Sequence, residues 1–472
     1  MGRLAAFVCA CLVLLALPAS GQAVEGFGPC QRANELPPGA PVNVELATVT
    51  DTEFIVTWLT CSAGAPIESD SSVTYAQVGG GGAGTATGPK TAFHYVRISD
   101  LEPGTTYSYS VGSGGITAPP DRLHPGTFTT LTPPPGKELF TVAAVADIHL
   151  GETVSGLATS TPTELPPSYR SDLPYPAKML AGAVAGINSE DASLTLIPAD
   201  NSSHGELHDL TEARHLLAGL DGDYMVARGA HDRPGQYEEA ASACFPDADC
   251  FRQVFRPNVT ATSEPQHLPE ARSHRGWMFI SLDSANLETG TGEISEGQMS
   301  WLKSRLEKAK KQDRPAVIFF HHPVAEYSST LAVPPAVFGV NQEDAQGLLT
   351  LIGNYDVRLV LNSHTHRNWI AYSPHTGRMP ILELGATKEY PGGYSLFRFY
   401  EGGFIRTWIP IECGFCNTWR ETTRGEYLSL YPFYTSGSLR DRNFVHLFDS
   451  PNVPGIPSTP LGFWPPAIPG EA

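Results

Sequence analysis

The chain has 472 residues and a formal net charge of −18 at pH 7. This length is enough for two or three domains with a sizeable hydrophobic core. The excess of acidic residues argues against a nucleic-acid-binding surface, which would need a basic face.

The first segment of the chain, residues 1–23, has the pattern of a secretory signal peptide. Arg3 supplies a positive charge, residues 4–17 are apolar, and small residues follow as candidate cleavage sites. The apolar run is shorter than the roughly 18 to 20 residues that a membrane span needs. We therefore expect an exported protein, secreted or lumenal, without a membrane span.

The cysteine pattern agrees with export. The chain has 8 cysteines, of which two lie in the predicted signal peptide, and an even remainder in an exported chain indicates disulfides. Nearness in sequence predicts the pairs Cys30–Cys61, Cys244–Cys250 and Cys413–Cys416, although six cysteines allow 15 pairings. Cys413-x-x-Cys416 could instead be half of a zinc site, but no second pair lies nearby.

Two glycosylation sequons are present. Asn258 lies in a polar stretch and is the expected acceptor of a glycan. Asn201 directly follows Asp200, where a glycan would conflict with the site described below.

Residues 40–130 contain short runs of Val, Thr, Tyr and Phe separated by Gly and Ser clusters, which predicts an all-β domain. Tyr107 follows a turn and begins an alternating strand, as does the tyrosine corner of a β-sandwich. This stretch resembles a fibronectin type III domain.

A Pro-rich linker, residues 131–137, leads into residues 138–411. Strand-like and helix-like runs alternate there, which predicts an α/β sheet. Residues 412–472 form a C-terminal extension that is rich in Pro towards its end.

Within the predicted α/β domain, five short apolar runs end abruptly in polar residues. Such runs are typical of buried parallel strands, whose carboxyl ends share one edge of the sheet. Carboxylates and imidazoles that meet at one edge indicate a binuclear metal site. The polar residues that follow the five runs are Asp147 and His149, Asp200, His231 and Asp232, His321 and His322, and His364 and His366.

This ordered set resembles the calcineurin-like metallophosphoesterases, and the preceding sandwich makes the chain most similar to the purple acid phosphatases. The resemblance implies a four-layer α/β/β/α domain and hydrolysis of small phosphate esters by a metal-bound hydroxide. It implies two metal ions, drawn from iron, manganese or zinc. Asp147, His149 and His366 would hold one ion, His321 and His364 the other, and Asp200 would bridge them.

The same resemblance implies roles around the ligands. His231 would stabilise charge on the phosphoryl group or protonate the leaving oxygen, and Asp232 would orient the His231 ring. His322 would support the ligands from behind or face the leaving alcohol.

Three positions depart from the family pattern. Ala230 replaces an Asn that binds the second metal, so this subsite is expected to be weakened, with water, Asn201, His204 or His208 as substitutes. Ala199 replaces a Gly before the bridging Asp. Ser203 replaces the metal-binding Tyr of purple members, so we expect no purple colour.

The leading interpretation is a phosphoesterase acting on monoesters, with diesters as a further substrate class. The alternative is a catalytically weakened relative with a binding or adhesion role, because of Ala230. Substrate identity would depend on residues 153–173 and 327–338, which carry no readable motif. The sequence leaves the oligomeric state open.

Overall fold

The computed structural model describes residue 30 and residues 36–153, 155, 174–235, 243–324, 339–373, 379–425 and 434–448. The predicted signal peptide, the Pro-rich end of the chain and most of residues 153–173 and 327–338 lie outside this part. Among the described helices, none has the length and apolar character needed to cross a bilayer.

The N-terminal domain is a sandwich of two antiparallel sheets. Its core includes Phe54, Trp58 and Phe128. The Tyr107 hydroxyl accepts a hydrogen bond from the Glu102 backbone N–H at 3.0 Å, which confirms the predicted tyrosine corner. One sheet contains β1 (Pro41–Val49), β2 (Phe54–Ser62), β3 (Ala65–Pro66) and β6 (Phe93–Ile98), and the other contains β4 (Ser69–Gln77), β5 (Ala83–Thr91), β7 (Thr106–Ser113), β8 (Ile116–Thr117) and β9 (Thr127–Thr129).

Two mixed sheets of six strands each form the centre of the second domain. The first has the order β12-β11-β10-β19-β20-β21, and the second has the order β13-β14-β15-β16-β18-β17. The strands are β10 (Glu138–Ala144), β11 (Leu194–Ile197), β12 (Asp223–Val226), β13 (Glu270–His274), β14 (Trp277–Ser281), β15 (Ala316–Phe319), β16 (Val357–Asn362), β17 (Trp369–Tyr372), β18 (Pro380–Glu383), β19 (Gly393–Tyr400), β20 (Gly403–Pro410) and β21 (Phe444–Leu447).

The two sheets pack face to face through an apolar layer that includes Phe140, Phe279, Phe319 and Phe397. The helices are α1 (Tyr175–Ser189), α2 (Leu207–Leu217), α3 (Cys250–Phe255), α4 (Glu296–Lys311), α5 (Gln342–Ile352), α6 (Gly414–Arg424) and α7 (Leu439–Arg442). Helices α1, α2, α3 and α6 cover the outer face of the first sheet, and α4 and α5 cover the outer face of the second. The predicted α/β/β/α architecture is therefore confirmed.

All three predicted disulfides are present, with Cα–Cα distances of 5.7 Å for Cys30–Cys61, 5.2 Å for Cys244–Cys250 and 4.9 Å for Cys413–Cys416. The zinc alternative for Cys413 and Cys416 is excluded, because both sulfur atoms are bonded to each other.

Candidate metal centre

The site lies where parallel strands of both sheets end. Strands β10, β11 and β12 run parallel in the first sheet, and β14, β15, β16 and β18 run parallel in the second. Buried strands of this kind need continuous apolar sequence, so polar residues appear only past their ends. The ends of β10 and β11 deliver Asp147, His149 and Asp200, and the ends of β15 and β16 deliver His321, His364 and His366.

Five of these six residues have left-handed backbone conformations. The φ angles are 51° at Asp147, 51° at His149, 50° at Asp200, 71° at His364 and 54° at His366. A non-glycine residue at positive φ costs of the order of 1–3 kcal/mol and persists only where the surrounding structure imposes it. Such a concentration at one place indicates a functional site.

Asp200 is central to the cluster. Its Oδ2 lies 3.5 Å from His149 Nε2 and 3.2 Å from His321 Nε2. Its Oδ1 accepts a hydrogen bond of 2.9 Å from the His231 backbone N–H. The carboxylate therefore faces both halves of the site, as a bridging ligand must.

The remaining candidate ligands fall on either side of Asp200. Potential ligand atoms of Asp147, His149 and His366 lie within 4.8 Å of one another. On the other side, the rings of His321 and His364 are 4.6 Å apart between centroids. The structure thus brings together all six residues predicted as ligands, in the two predicted groups.

Two of the imidazoles are oriented through Nδ1. His321 Nδ1 lies 3.0 Å from the Ser363 hydroxyl, and His366 Nδ1 lies 2.7 Å from Glu389 Oε1. His149 Nδ1 faces Glu152 Oε2 at 3.6 Å, which is beyond hydrogen-bond distance. Partners at Nδ1 fix the ring orientation and leave Nε2 for a metal.

Burial and neighbouring charges both shift pKa values in the cluster. Burial lowers the pKa values of His149 and His364 well below the ordinary histidine value, which keeps both rings neutral. Burial alone would raise the pKa of Asp200, but His321 and His231 hold it well below its ordinary value. At His321 and His366 the charges of Asp200 and Asp147, respectively, outweigh burial and raise the pKa of the ring. Metal ligation requires neutral imidazole and ionised carboxylate, a condition that His149, His364 and Asp200 meet.

The donor atoms fit a pair of metal ions. Asp147 Oδ2, His149 Nε2 and His321 Nε2 are buried, and none has a hydrogen-bond partner among the residues that the structure describes. Buried polar atoms without partners are rare and costly in proteins. The oxygen and nitrogen donor set, which lacks sulfur, suits iron, manganese or zinc.

The role predicted for Asp232 is wrong. Its carboxylate accepts hydrogen bonds from the backbone N–H groups of Gly229, Asn201 and Ser202. It also accepts hydrogen bonds from the side chains of Asn201 and Ser202. The His231 ring instead directs Nδ1 to the Ser203 carbonyl oxygen at 2.8 Å. Asp232 therefore holds the loop behind the site, because its carboxylate oxygens are occupied by backbone N–H donors and not by the His231 ring.

His231 lies beside the candidate ligands. It is partly exposed, unlike the buried aspartates, and its ring centroid lies 4.8 Å from that of His149. With Nδ1 held by a carbonyl, Nε2 is the nitrogen left to face a substrate.

His322 is buried beside two candidate ligands, with its ring centroid 4.7 Å from that of His321 and 4.8 Å from that of His364, and potential ligand atoms of the three residues lie within 4.8 Å of one another. Ser284 Oγ lies 3.1 Å from the Nδ1 of His322, and the Gly290 carbonyl lies 3.0 Å from its Nε2. Both ring nitrogens are thus engaged inside the protein. Burial lowers the pKa of His322 to about 3.

The residues considered as substitutes for the Asn that Ala230 replaces lie in different surroundings. Asn201 is fully buried, and within the described part of the chain its Oδ1 has no hydrogen-bond partner, whereas its Nδ2 donates a hydrogen bond of 2.8 Å to Asp232. His204 interacts electrostatically with Asp209, and His208 is exposed beside the same residue at 3.3 Å. Among the described residues, neither histidine belongs to a group that could hold a metal.

The other two departures have visible consequences. Ala199 has a φ of 134°, a conformation that glycine adopts freely and alanine does not. Ser203 contributes its backbone carbonyl to His231, and its position carries no phenol.

Sequence reasoning missed Lys388, Glu389, Glu152 and Ser363. Lys388 and Glu389 follow β18, whose carboxyl end lies beside that of β16. The sequence pattern is the same as at the other strand ends, where an apolar run leads into polar residues. Lys388 was missed because three further residues separate it from the end of that run.

Gly229 is predicted to be essential for the position of Asp200. A Cβ at Gly229 would lie 2.1 Å from Asp200 Oδ1 and 2.4 Å from the Asp200 backbone nitrogen. We expect Gly229→Ala to displace Asp200, reduce bound metal and destabilise the fold by about 1–3 kcal/mol, as overpacking does. Elemental analysis and thermal unfolding would measure both effects. Gly414→Ala, where a Cβ meets nothing within 4 Å, is the control, and unchanged metal content in Gly229→Ala would contradict the prediction.

Comparisons with known proteins agree with this geometry. Residues 41–130 match the family model of the purple acid phosphatase N-terminal domain, and residues 140–368 match that of the calcineurin-like phosphoesterases. A probable cyclic nucleotide phosphodiesterase of Rhodococcus erythropolis is 24% identical over 248 residues, which span 50% of this chain and 74% of that protein.

Solved structures with similarity include a dimetal phosphatase from Danio rerio and the purple acid phosphatase PPD1 from yellow lupin (Lupinus luteus). The first has 13% identity and a TM-score of 0.42, covering 58% of this chain and 96% of that one. The second has 16% identity and a TM-score of 0.38, covering 79% of this chain and 72% of that one. The two family models match in order along the chain, so the protein consists of a purple acid phosphatase N-terminal domain followed by a calcineurin-like phosphoesterase domain within the matched residues.

Proposed function

We propose that this protein is an exported binuclear-metal phosphoesterase that hydrolyses small phosphate esters, with monoesters as acid phosphatase-like substrates. The observation that carries the proposal is the convergence of two carboxylates and four imidazoles around unpartnered, buried donor atoms. Phosphodiesters are a second substrate class, supported by the similarity to the cyclic nucleotide phosphodiesterase. Export is supported by the leader pattern and by the three disulfides, which persist in oxidising compartments.

The distances in the site support the ligand sets that the resemblance implies. Two bound metal ions would supply an activated water and neutralise charge on the phosphoryl oxygens. Asp147, His149 and His366 would hold one ion and His321 with His364 the other, while Asp200 would contact both.

His231 would act on the leaving oxygen. Its Nδ1 lies 2.8 Å from the Ser203 carbonyl oxygen, which leaves Nε2 as the ring nitrogen that can face a substrate. A donor there can stabilise the phosphoryl oxygens or pass a proton to the departing alkoxide.

The direct test combines metal content, visible spectrum and hydrolysis of p-nitrophenyl phosphate and bis(p-nitrophenyl) phosphate. We expect two metal ions per chain, no purple band, and turnover of at least one ester. A folded, metal-loaded protein that cleaves neither ester would overturn the proposal. A purple band would show that a tyrosinate ligand exists and that Ser203 is misassigned.

One observation favours a second candidate, a binding or adhesion protein without catalysis. Ala230 lies on the 3₁₀ turn Ala230–Asp232 after β12, and its side chain has no atom that can bind a metal. A subsite with one fewer ligand binds its ion more weakly. Two metal ions per chain together with turnover would exclude this candidate.

The Ala230→Asn variant separates the two. If the protein is an enzyme with a weakened subsite, an amide oxygen at this position should tighten the weaker metal by about tenfold or more, which is about 1.4 kcal/mol. Activity at limiting metal should rise with it. Metal titration and the ester assays measure both, with Ala218→Asn on an exposed position as the control. A fall in activity would show that another ligand already occupies this place.

A further inference from the structure

Lys388 is a buried lysine beside the metal centre. Its side chain is 4% exposed. The ammonium Nζ lies 2.7 Å from Glu152 Oε1, 2.5 Å from Glu152 Oε2 and 3.4 Å from Glu389 Oε2. A charge this deeply buried is tolerated only with partners of opposite charge.

Each of the two carboxylates faces a different candidate ligand. Glu389 Oε1 lies 2.7 Å from His366 Nδ1, and its Oε2 accepts a hydrogen bond of 2.8 Å from the Ser155 hydroxyl. Glu152 Oε2 lies 3.6 Å from His149 Nδ1. Both imidazoles belong to the group completed by Asp147.

The backbone around Lys388 is also fixed. The Lys388 carbonyl accepts a hydrogen bond of 2.8 Å from Trp419 Nε1 of α6. The preceding Thr387 is joined to the end of β10 through Ala146, by one bond of 2.8 Å and a second of 3.2 Å. The backbone at Lys388 is therefore held beside the segment that leads from β10 to Asp147.

From this arrangement we infer that Lys388 is a positioning residue for the subsite of Asp147, His149 and His366. Glu152 and Glu389 carry the same charge and would separate if nothing cationic lay between them. The ammonium keeps Glu389 at hydrogen-bond distance from His366 and Glu152 beside His149, and this would leave the two Nε2 atoms for the ion that the subsite would hold. The inference rests on the proposed function, since it assigns Lys388 to one of the two metal subsites.

The other subsite is built differently. There the Nδ1 of His321 meets a neutral hydroxyl, that of Ser363 at 3.0 Å. Loss of Lys388 should therefore affect one metal ion and spare the other. A purely structural role would affect both alike, through the stability of the fold.

The experiment is calorimetric titration of the metal-free full chain with Zn²⁺. Wild type should show two binding events. In Lys388→Met, one event should weaken about 10- to 100-fold, the usual effect of removing a residue that supports a metal ligand, and the other should stay within about threefold. Lys178→Met is the control, because Lys178 lies over the Phe415 ring in a partly buried place on α1.

Glu152→Gln provides an independent test and serves alone if Lys388→Met does not fold. It should weaken the same event, and the double variant should weaken it by less than the product of the two single effects, as residues acting together do. Two unchanged events in Lys388→Met or in Glu152→Gln would overturn the inference. Two zinc events in wild type without ester hydrolysis would overturn the proposed function and leave the role of Lys388 standing.

Discussion

The Asp200→Asn variant should lose at least about 10³-fold in kcat/KM, which corresponds to about 4 kcal/mol of transition-state stabilisation. It should also bind fewer than two metal ions per chain. Asp200 Oδ2 lies within 3.5 Å of imidazole nitrogens from both groups. Asparagine removes the negative charge and can place an N–H₂ donor where a cation must be accepted.

The free energy of unfolding should also fall without metal. Asp200 is 1% exposed, and burial alone would raise the pKa of its carboxyl, but His321 and His231 hold that pKa well below its ordinary value, so the fold favours the ionised form that asparagine lacks. In the presence of a chelator, the variant should therefore unfold at a lower temperature than wild type. With saturating metal, wild type should gain stability by binding and the variant should gain much less.

Elemental analysis, ester hydrolysis and thermal unfolding with and without metal measure these effects. Asp100→Asn is a matched control, because Asp100 is exposed in the N-terminal sandwich and has a similar φ of 62°. Full metal occupancy in Asp200→Asn would show that the carboxylate does not bridge the two subsites.

The six candidate ligands could be found in the sequence because the fold forces them into a local pattern. A strand buried on both faces must be apolar along its length, so a polar side chain can appear only where it ends. Asp147, Asp200 and His321 each stand directly past such a run, and the parallel arrangement brings them to one edge. Sequence order and strand type were sufficient for that part of the site.

The residues that orient the ligands could not be found in this way. Glu152 and Lys388 are 236 positions apart in the chain, and their meeting depends on how β10 and β18 pack in three dimensions. The partner expected for the His231 ring was wrong for a related reason. Asp232 is its neighbour in sequence, but the loop after β11 brings backbone N–H groups closer to the carboxylate than the ring.

The N-terminal sandwich also contributes a buried charged residue to its contact with the second domain, which its sequence does not indicate. Glu45 lies on β1, in a strand pattern that suggests a polar surface position. In the structure it is 4% exposed, because β1 packs against the second domain, where Thr48 donates a hydrogen bond to the Trp408 carbonyl. Burial by another domain cannot be recognised from the alternation within one strand.

Glu45→Gln is expected to destabilise the protein by about 3–5 kcal/mol, the cost of breaking a buried ion pair from one side. Glu45 accepts hydrogen bonds from Arg442 at 2.5 Å, from Arg424 at 3.1 Å and from the Tyr390 hydroxyl at 2.8 Å. Glutamine keeps the shape but leaves two guanidinium groups buried beside a neutral amide. Tyr390 directly follows Glu389, so loss of the Glu45 interactions would also disturb the backbone next to the partner of His366.

The same interaction sets a dependence on pH. Burial would raise the pKa of Glu45, but Arg442 and Arg424 more than offset it and lower the pKa from 4.5 to about 2. A depressed carboxyl pKa stabilises the fold above the ordinary value and loses its effect as the pH falls towards the folded value. The contribution of Glu45, about 3 kcal/mol from the size of this shift, should be complete above about pH 5 and lost between about pH 4.5 and 2.

The measurement is the free energy of unfolding as a function of pH, in the presence of a chelator so that metal binding does not contribute. The difference between wild type and Glu45→Gln should be largest near pH 6 and should shrink steadily below pH 4.5, since protonation removes the same charge from wild type. Glu68→Gln, at an exposed position of the same sandwich, should follow wild type throughout. A difference that stays constant down to pH 2.5 would mean that the variant is destabilised by poor packing of the amide and not by loss of the charge that joins the two domains.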